Sequence, residues 1–248
     1  MTDSGKVVVV GLGEVGKPLY ELVSRSCDAI GVDVAGTDYT GPVSILHVCY
    51  PFEIADFIGE TARYIERFNP SITIINSTVA VGTTRSVYER TGASLVNSPV
   101  RGKHIRMLED MQKYTKFVGA IDRTAADAAA VHFQAAGLKT KVLSTPEATE
   151  LAKLTETTYF GVMIAWAQEV ERYCDQTGAD YDEVVSFYDE IGFFPRVKYF
   201  PGVIGGHCVM PNIEILRKQM PSVLLEALRA SNESKVERER LRNVVAVA

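Results

Sequence analysis

The sequence predicts an α/β fold in which a doubly wound parallel sheet is followed by an all-helical domain with a long central helix. Short apolar runs rich in β-branched residues, beginning with Lys6–Val10, alternate with amphipathic stretches up to residue 144. That alternation is typical of buried parallel strands and their connecting helices. A glycine-rich turn follows the first run, and the pattern from residue 145 onward is helical. We therefore predict two domains, 1–144 and 145–248.

The composition is that of a globular protein without a nucleic-acid or membrane surface. The chain has 248 residues, 46% hydrophobic and 23% charged, with a net charge of −5. It contains no long basic run and no apolar stretch near the ~20 residues that a membrane helix needs. The N-terminal residues lack the pattern of a signal peptide, and the four cysteines form no CxxC pair. We expect a reducing, cytoplasmic location, no disulfide framework and no metal site.

The turn Gly11-Leu12-Gly13-Glu14-Val15-Gly16 has the GxGxxG spacing of a dinucleotide site. Its glycines permit a tight turn and the close approach of a pyrophosphate, which then faces the N-terminus of the following helix. The next predicted strand, Ala29–Val32, ends in Asp33, where a carboxylate binds the ribose 2′-hydroxyl and repels a 2′-phosphate. We therefore predict a Rossmann domain that binds NAD rather than NADP.

Polar residues follow the later strands of this predicted sheet. Ligands of open α/β sheets lie beyond the carboxyl ends of the strands, so these residues are candidates for ligand contacts. The candidates are Tyr50 and Pro51 after strand 43–48 and Ser77 and Thr78 after strand 72–75, for the cofactor, and Arg101, Lys103 and His104 after strand 94–96, for an anionic substrate. Thr83 or Thr84 is expected to cap the next helix.

The helical domain begins with a cap and a proline at Thr145-Pro146, and its first helix is expected to run to about Gln176 and stop at Gly178. Glu150, Lys153 and Thr157 share one face of this helix. Further helices are expected after Asp180 and over 213–242, with a break at Pro221. In the first domain, Thr124 and Asp127 predict a capping box for a helix that ends at Gly137.

A glycine-rich loop, residues 201–208, ends in His207 and Cys208. Glycines let a ligand approach the backbone closely, and a thiol at such a place is a candidate nucleophile if its thiolate is stabilised. A tight turn with a small buried cysteine is the alternative for this motif alone. Gly205 of the same loop is a candidate substrate contact.

Four motifs occur in one order along nearly the whole chain: the glycine turn 11–16, the stretch 76–84, Glu150-Leu151-Ala152-Lys153-Leu154, and Pro201-Gly202 with Gly205-Gly206-His207-Cys208. With these motifs the chain resembles the nucleotide-sugar dehydrogenases, which oxidise UDP-glucose, GDP-mannose or UDP-N-acetylmannosamine. The resemblance implies an NAD-dependent, two-step oxidation of a primary alcohol. Cys208 would form a thiohemiacetal and then a thioester, Lys153 would stabilise the oxyanion, and Thr78 would help to place a water.

The chain departs from the family pattern at several positions: Val100 in place of a Glu, His104 where a second Glu is usual, Thr157 in place of an Asn, Asn212 in place of an Asp, and Phe52 after Pro51 in place of a Thr. Asn212 puts in doubt the carboxylate that activates water, so the oxidation state of the product is open. The sequence also ends at Ala248, so we expect a shortened form without the C-terminal domain that binds the nucleotide-sugar in relatives.

Three functions are therefore considered. The first is an NAD-dependent dehydrogenase that uses Cys208 and Lys153 on a sugar, nucleotide-sugar or nucleoside-like substrate. The second is a two-electron β-hydroxyacid-type dehydrogenase with Lys153 as the general base. The third is a non-catalytic or partner-dependent NAD-binding subunit. Because the helical domain is elongated, we also expect a homodimer that pairs through the helix 146–176 and the helices after residue 211.

Overall fold

The structure, a computed structural model, describes residues 5–191, 201–205 and 208–245. The chain divides into two compact units, Met1–Lys153 and Leu154–Ala248. We call them the sheet unit and the helical unit. Among the described residues no helix combines the length and the apolar character needed to span a bilayer.

The sheet unit contains one seven-stranded sheet with the order β2-β1-β3-β4-β5-β6-β7. Its strands are β1 (Lys6–Val10), β2 (Ala29–Val32), β3 (Val43–Val48), β4 (Ile72–Ile75), β5 (Leu95–Asn97), β6 (Lys116–Ala120) and β7 (Thr140–Val142). From β1 the chain adds β2 on one side and then β3 on the other, which makes the predicted doubly wound α/β fold. The strand order reverses beside β1, and ligands bind at such a point. We call the carboxyl ends of β1–β5 the ligand edge.

One strand pair differs from the parallel arrangement that we expected. β6 runs antiparallel to β5, with Val96 opposite Ala120 and Asn97 opposite Gly119. The connection after β5 holds a 3-10 turn and a short helix, α4 (Met107–Lys113), neither of which was predicted from the sequence. This connection returns the chain to the ligand edge, so β6 starts there. Lys116, the first residue of β6, therefore lies at the ligand edge.

Helices cover both faces of this sheet, and an apolar core fills each face. They are α1 (Gly16–Val23), α2 (Phe57–Phe68), α3 (Thr83–Thr91), α4 and α5 (Arg123–Ala135). The expected capping box of α5 is wrong, because Asp122 is the N-cap and its side chain accepts from the Thr124 amide. The N-cap residue of α3 is Gly82, and no side chain of the N-cap residue forms a capping hydrogen bond.

The helical unit continues the long helix α6 (Pro146–Thr177), which ends before Gly178 as predicted. It adds α7 (Tyr181–Ser186), α8 (Val209–Gln219) and α9 (Val223–Val245). The break between α8 and α9 contains Pro221, as expected. Asp180 caps α7 through the Glu183 amide, and Val170, Cys174 and Val185 form a small buried cluster. Ion pairs join α6 to α9, among them Lys235 to Glu171 at 2.7 Å.

Candidate active site

The glycine turn, residues 11–16, joins β1 to α1 and allows a close approach of the backbone. Gly11 has a φ of +86°, which favours glycine. A Cβ on Gly16 would lie 1.7 Å from the Gly11 carbonyl oxygen, whereas among the described residues nothing lies within 4 Å of a Cβ on Gly13. The turn is thus closed at Gly16 and open at Gly13. An open backbone of this kind before a helix N-terminus fits a pyrophosphate.

The N-terminus of α1 supports the same ligand chemistry. Its N-cap residue, Val15, makes no side-chain cap, and the first turn carries no acidic residue. The first backbone amides of a helix have no partner within the helix and attract negative charge. The predicted contacts from Glu14 and Val15 therefore lie where an anion is favoured.

Asp33 directly follows β2, and Val32 is paired with Val10 of β1. The glycine turn and Asp33 therefore follow paired positions on neighbouring strands at the ligand edge. The Asp33 side chain is exposed, and its Oδ1 accepts from the Val34 amide at 3.0 Å. This geometry fits the ribose end of a dinucleotide whose pyrophosphate lies on the turn.

The ends of β3 and β4 are tied together by Ser77. Its hydroxyl donates to the Tyr50 carbonyl oxygen at 2.6 Å, and Ser77 itself is buried. The Tyr50 hydroxyl bonds to Thr61 at 2.7 Å, and burial raises the pKa of this phenol. Ser77 and Tyr50 thus hold the edge in shape. Thr78 is half-buried and Pro51 is exposed at the same edge.

The loop after β5 holds its predicted substrate contacts in different ways. The Arg101 guanidinium lies over the rings of Tyr114 and Phe117, at 5.3 and 5.6 Å from their centroids. Lys103 has an exposed side chain, and its amide donates to Asp110 at 2.9 Å. His104 begins the 3-10 turn. Arg101 is therefore held by aromatic packing, while Lys103 reaches solvent.

The first turns of α6 are fixed to the sheet unit by two buried side chains. Glu150 is 1% exposed and accepts from the amides of Gly82 and Thr84, at 2.7 and 2.9 Å, and from the Thr84 hydroxyl at 2.7 Å. Burial raises the pKa of Glu150 in spite of these hydrogen bonds. Thr149 donates to Asn97 Oδ1 at 2.7 Å.

Glu150 thus supplies the cap of α3 that we expected from Thr83 or Thr84, and that expectation was wrong. Lys153 follows Glu150 by three residues on α6 and is half-buried. Its position is therefore set by a helix start that is tied to the ends of the sheet.

In the helical unit, Cys208 is the N-cap residue of α8 and is half-buried. A helix N-terminus stabilises negative charge, which suits a thiolate nucleophile. His207 and Gly206 lie outside the described residues. Gly205 is exposed.

The Cys208 loop, residues 201–205, is held by two buried amide side chains that were not predicted from the sequence. Asn232 of α9 forms a pair of hydrogen bonds with Ile204, accepting from its amide at 2.7 Å and donating to its carbonyl at 3.0 Å. Gln168 of α6 donates to the Gly202 carbonyl at 2.7 Å. No sequence motif marks these residues, because they are polar positions on helices far from the loop in sequence.

Two positions at which the chain departs from the family pattern contact each other. The Asn212 amide donates to the Thr157 hydroxyl at 3.0 Å, and that hydroxyl donates in turn to the Leu154 carbonyl at 3.1 Å. Asn212 is 4% exposed. The pair is neutral, so it positions groups by hydrogen bonding and offers no carboxylate base.

Within the part of the chain that is described, no group of three or more His, Cys, Asp or Glu residues is arranged to hold a metal ion.

The sheet, its glycine turn and the helical region after it define a Rossmann-type α/β protein with a helical second region. Residues 147–234 match the central domain of the UDP-glucose/GDP-mannose dehydrogenase family. The resemblance drawn from the sequence motifs is thereby confirmed.

The chain is also similar to two curated proteins. It is 24% identical to the UDP-N-acetyl-D-mannosamine dehydrogenase of Methanocaldococcus jannaschii, over 92% of this chain and 65% of the relative. It is 22% identical to an NDP-N-acetyl-D-galactosaminuronic acid dehydrogenase of Ralstonia nicotianae, over 84% of this chain and 63% of that protein. The chain thus spans somewhat less than two thirds of these relatives.

Solved structures share the fold. A UDP-D-ManNAc dehydrogenase from Pyrococcus horikoshii superposes with a TM-score of 0.79 at 20% identity, over 92% of this chain and 68% of that one. A 3-hydroxyisobutyrate dehydrogenase from Mycobacterium tuberculosis superposes with a TM-score of 0.71 at 15% identity, over 94% and 93% of the two chains. The predicted fold class is confirmed.

Proposed function

We propose that this protein is an NAD-dependent dehydrogenase that oxidises a primary alcohol of a nucleotide-sugar or a related sugar. The observation that carries the proposal is Cys208, held at a helix N-terminus after a loop that buried amides fix in place. The match of residues 147–234 to a dehydrogenase family supports it. The named activities of the relatives give the class of substrate.

The glycine turn fits NAD, since its backbone is open at Gly13 and leaves no room for a side chain at Gly16. Gly13 would let the pyrophosphate approach the backbone, while Gly11 and Gly16 would form the tight turn that places it. Asp33 would accept from the ribose hydroxyls and disfavour a 2′-phosphate. The ends of β3 and β4, with Tyr50, Pro51, Ser77 and Thr78, would form the wall beside the cofactor. NAD, when bound, supplies the hydride acceptor.

The residues of the chain would supply the remaining chemistry. The Cys208 thiolate would attack the carbonyl carbon of the aldehyde, so that a carbon–sulfur bond forms and the carbonyl electron pair moves to oxygen. The Lys153 ammonium would stabilise that oxyanion and give it a proton. Thr78 would help to place a water, and Arg101, Lys103, His104, Thr157 and Gly205 would contact the substrate.

A second candidate, oxidation that stops after two electrons at the carbonyl, is favoured by the Thr157–Asn212 pair. Hydrolysis of a thioester needs a base for the attacking water, and an amide at residue 212 cannot accept that proton. A β-hydroxyacid-type reaction with Lys153 as the base would have the same outcome. In both cases one NADH would form per substrate.

We further propose a homodimer that pairs through α6. Tyr159, Trp166 and Tyr173 recur every seven residues on this helix and are 56%, 54% and 49% exposed. An exposed apolar stripe of this kind marks an interaction surface. Light scattering at micromolar concentration should give the dimer mass for wild type and the monomer mass for Trp166→Glu. A monomeric wild type would contradict the pairing.

Location in the cytoplasm remains a prediction.

The proposed activity is tested by NADH formation with a panel of nucleotide-sugars, free sugars and nucleosides, with the products identified by mass spectrometry. Two NADH per substrate and a carboxylate product would support the thioester route, and one NADH with a carbonyl product would support the second candidate. Cys208→Ala should abolish carboxylate formation and keep NAD binding, whereas the thiol control Cys27→Ala should keep both. NAD binding without turnover across the panel would instead favour a partner-dependent subunit.

A further inference from the structure

Lys116 is a buried lysine whose hydrogen-bond acceptors are neutral. It is 5% exposed and starts β6 at the ligand edge, because β6 runs antiparallel to β5. Its ammonium donates to Asn76 Oδ1 at 3.1 Å and to the Ser98 carbonyl at 2.5 Å. It also lies 5.1 Å from the centroid of the Phe133 ring. Lys116 therefore joins the residues that directly follow β4 and β5.

The Asn76 side chain is fixed by a chain of buried groups. Its amide nitrogen donates to the Ile74 carbonyl and to His47 Nδ1, both at 3.1 Å, so Oδ1 faces Lys116. Since His47 Nδ1 accepts, its Nε2 carries the proton and donates to His132 Nε2 at 2.9 Å. The donor direction is thus consistent from Lys116 through Asn76 to His132. Asn76 directly precedes Ser77 and Thr78, so its orientation sets the start of the segment that we assign to the cofactor.

The groups around this ammonium come from five elements. They are Asn76 after β4, Ser98 after β5, His47 and Cys49 at the end of β3, Phe133 on α5 and Lys153 on α6, while His132 contacts His47 rather than Lys116. Burial lowers the pKa of Lys116 to about 7; the positive charge of Lys153 also lowers it, and Cys49 acts in the opposite direction. Burial lowers the pKa of His132 to about 4 and that of His47 well below its ordinary value, so both rings are neutral near neutral pH.

We propose that Lys116 is a positioning residue for the cofactor segment: its ammonium holds Asn76 and Ser98 in the arrangement that binds NAD, and loss of its proton weakens that arrangement. An ammonium has three donors, which here meet two oxygen acceptors and the face of an aromatic ring. The neutral amine keeps donors but loses the charge that strengthens both hydrogen bonds and the ring contact. Deprotonation also removes a positive charge from the ligand edge, where the anionic cofactor would bind.

Binding and protonation are then linked in both directions. If NAD binds the protonated form more tightly, NAD affinity falls as the pH rises through neutrality. Conversely, NAD binding near pH 7.5 draws a proton from the buffer onto the Lys116 amine. A purely structural lysine whose charge does not change would give neither effect. The inference rests on the proposed NAD site. Calorimetry distinguishes a failure of the linkage, in which NAD binds without proton uptake, from a failure of the proposed function, in which NAD does not bind.

The experiment is titration of the full chain with NAD at pH 7.5 in phosphate and in Tris, whose different heats of ionisation give the number of protons taken up. Wild type should take up a fraction of a proton. Lys116→Arg, whose guanidinium stays charged, and Lys116→Met, which has no charge, should take up much less. Lys113→Met removes an exposed lysine three residues earlier and should behave as wild type.

A second measurement needs no variant. The dissociation constant of NAD for wild type should rise by roughly tenfold between pH 6 and pH 8.5, as expected for a coupling of about one pKa unit. Equal proton uptake by wild type and Lys116→Arg, or a flat pH profile of wild type, would overturn the inference. Absence of NAD binding by wild type at every pH would instead contradict the proposed function.

Discussion

The sheet unit and the helical unit fix their candidate site residues in different ways. In the sheet unit these residues follow the ends of strands, so the register of the sheet determines where Gly11, Asp33 and Ser77 lie. In the helical unit, Cys208 follows a loop that side chains from two helices hold in place. A short local motif is therefore sufficient to define the first site, whereas the second depends on contacts that are distant in sequence.

The largest effect is expected where the backbone itself makes the site. In Gly16→Ala the new Cβ would meet the Gly11 carbonyl oxygen at 1.7 Å, and backbone cannot move away cheaply. We expect a loss of at least about 3 kcal/mol in the free energy of unfolding, or no folded protein. Urea unfolding followed by circular dichroism measures it.

The matched control is Gly13→Ala in the same turn. A Cβ there meets nothing among the described residues within 4 Å, so stability should stay within about 0.5 kcal/mol of wild type. NAD affinity should nevertheless fall, because the methyl group would occupy the open side of the turn. Equal stability of the two variants would show that the turn tolerates a side chain at either position.

The second prediction concerns the buried charge at the ligand edge. The pKa of Lys116 is about 7 in the folded state and near 10.5 when unfolded, so the unfolded chain binds more protons between these values. The stability contribution of Lys116 therefore rises with pH through this window and is lowest below pH 7. Relative to Lys116→Met, wild type should gain roughly 3 kcal/mol between pH 6 and pH 9.

Urea unfolding of both proteins across this range supplies the measurement. Lys113→Met, at an exposed lysine, should show a curve parallel to that of wild type. Parallel curves for wild type and Lys116→Met would mean that Lys116 keeps an ordinary pKa in the fold.

Much of the sheet unit follows from its sequence, because strand patterns and the glycine spacing are local. The direction of β6 does not, since it depends on the path of the connection after β5. The cap of α3 was missed for a similar reason: Glu150 and Thr84 are 66 residues apart and meet only in the folded chain. Lys116 was missed because a lysine at the start of an apolar strand gives no local signal of burial.

In the helical unit, the length of α6, its stop at Gly178 and the break at Pro221 were predicted from capping and breaking residues. The position of Cys208 as an N-cap was not predicted, since we placed the helix start at residue 213 instead of Val209. Asn232 and Ile204 are 28 residues apart, and nothing in either local sequence indicates their pairing. Local rules therefore define the helices but not the contacts that hold the loop.

The third prediction compares two glutamates on the first turns of α6. Glu150→Gln replaces a buried carboxylate that accepts three hydrogen bonds with an amide whose NH₂ group faces donors. We expect a loss of about 2 kcal/mol in unfolding free energy. Glu147→Gln breaks only a partly exposed pair with Arg85 and should lose less than about 1 kcal/mol. Similar losses in the two variants would mean that Glu150 does not act as the cap of α3.

The smallest effect is expected for the clamp on the Cys208 loop. Asn232→Ala removes both hydrogen bonds to the Ile204 backbone and leaves that amide and carbonyl without these partners. Val203 and Gly205 on either side are exposed, so water can replace the lost partner, and we expect a modest loss of about 1 kcal/mol in stability. Because Cys208 is half-buried and follows the clamped loop by three residues, release of the loop should expose its thiol.

The reaction of each cysteine with iodoacetamide, followed by peptide mass spectrometry, gives the local readout. In Asn232→Ala, Cys208 should be alkylated several-fold faster, while Cys49 in the sheet unit should stay protected, because it is buried and burial raises its pKa to about 12. Glu233→Ala, at an exposed position beside Asn232 on α9, is the control and should leave both rates unchanged. Unchanged alkylation of Cys208 in Asn232→Ala would mean that the rest of the helical unit holds the loop without Asn232. The position of Cys208 would then not depend on this contact between distant residues.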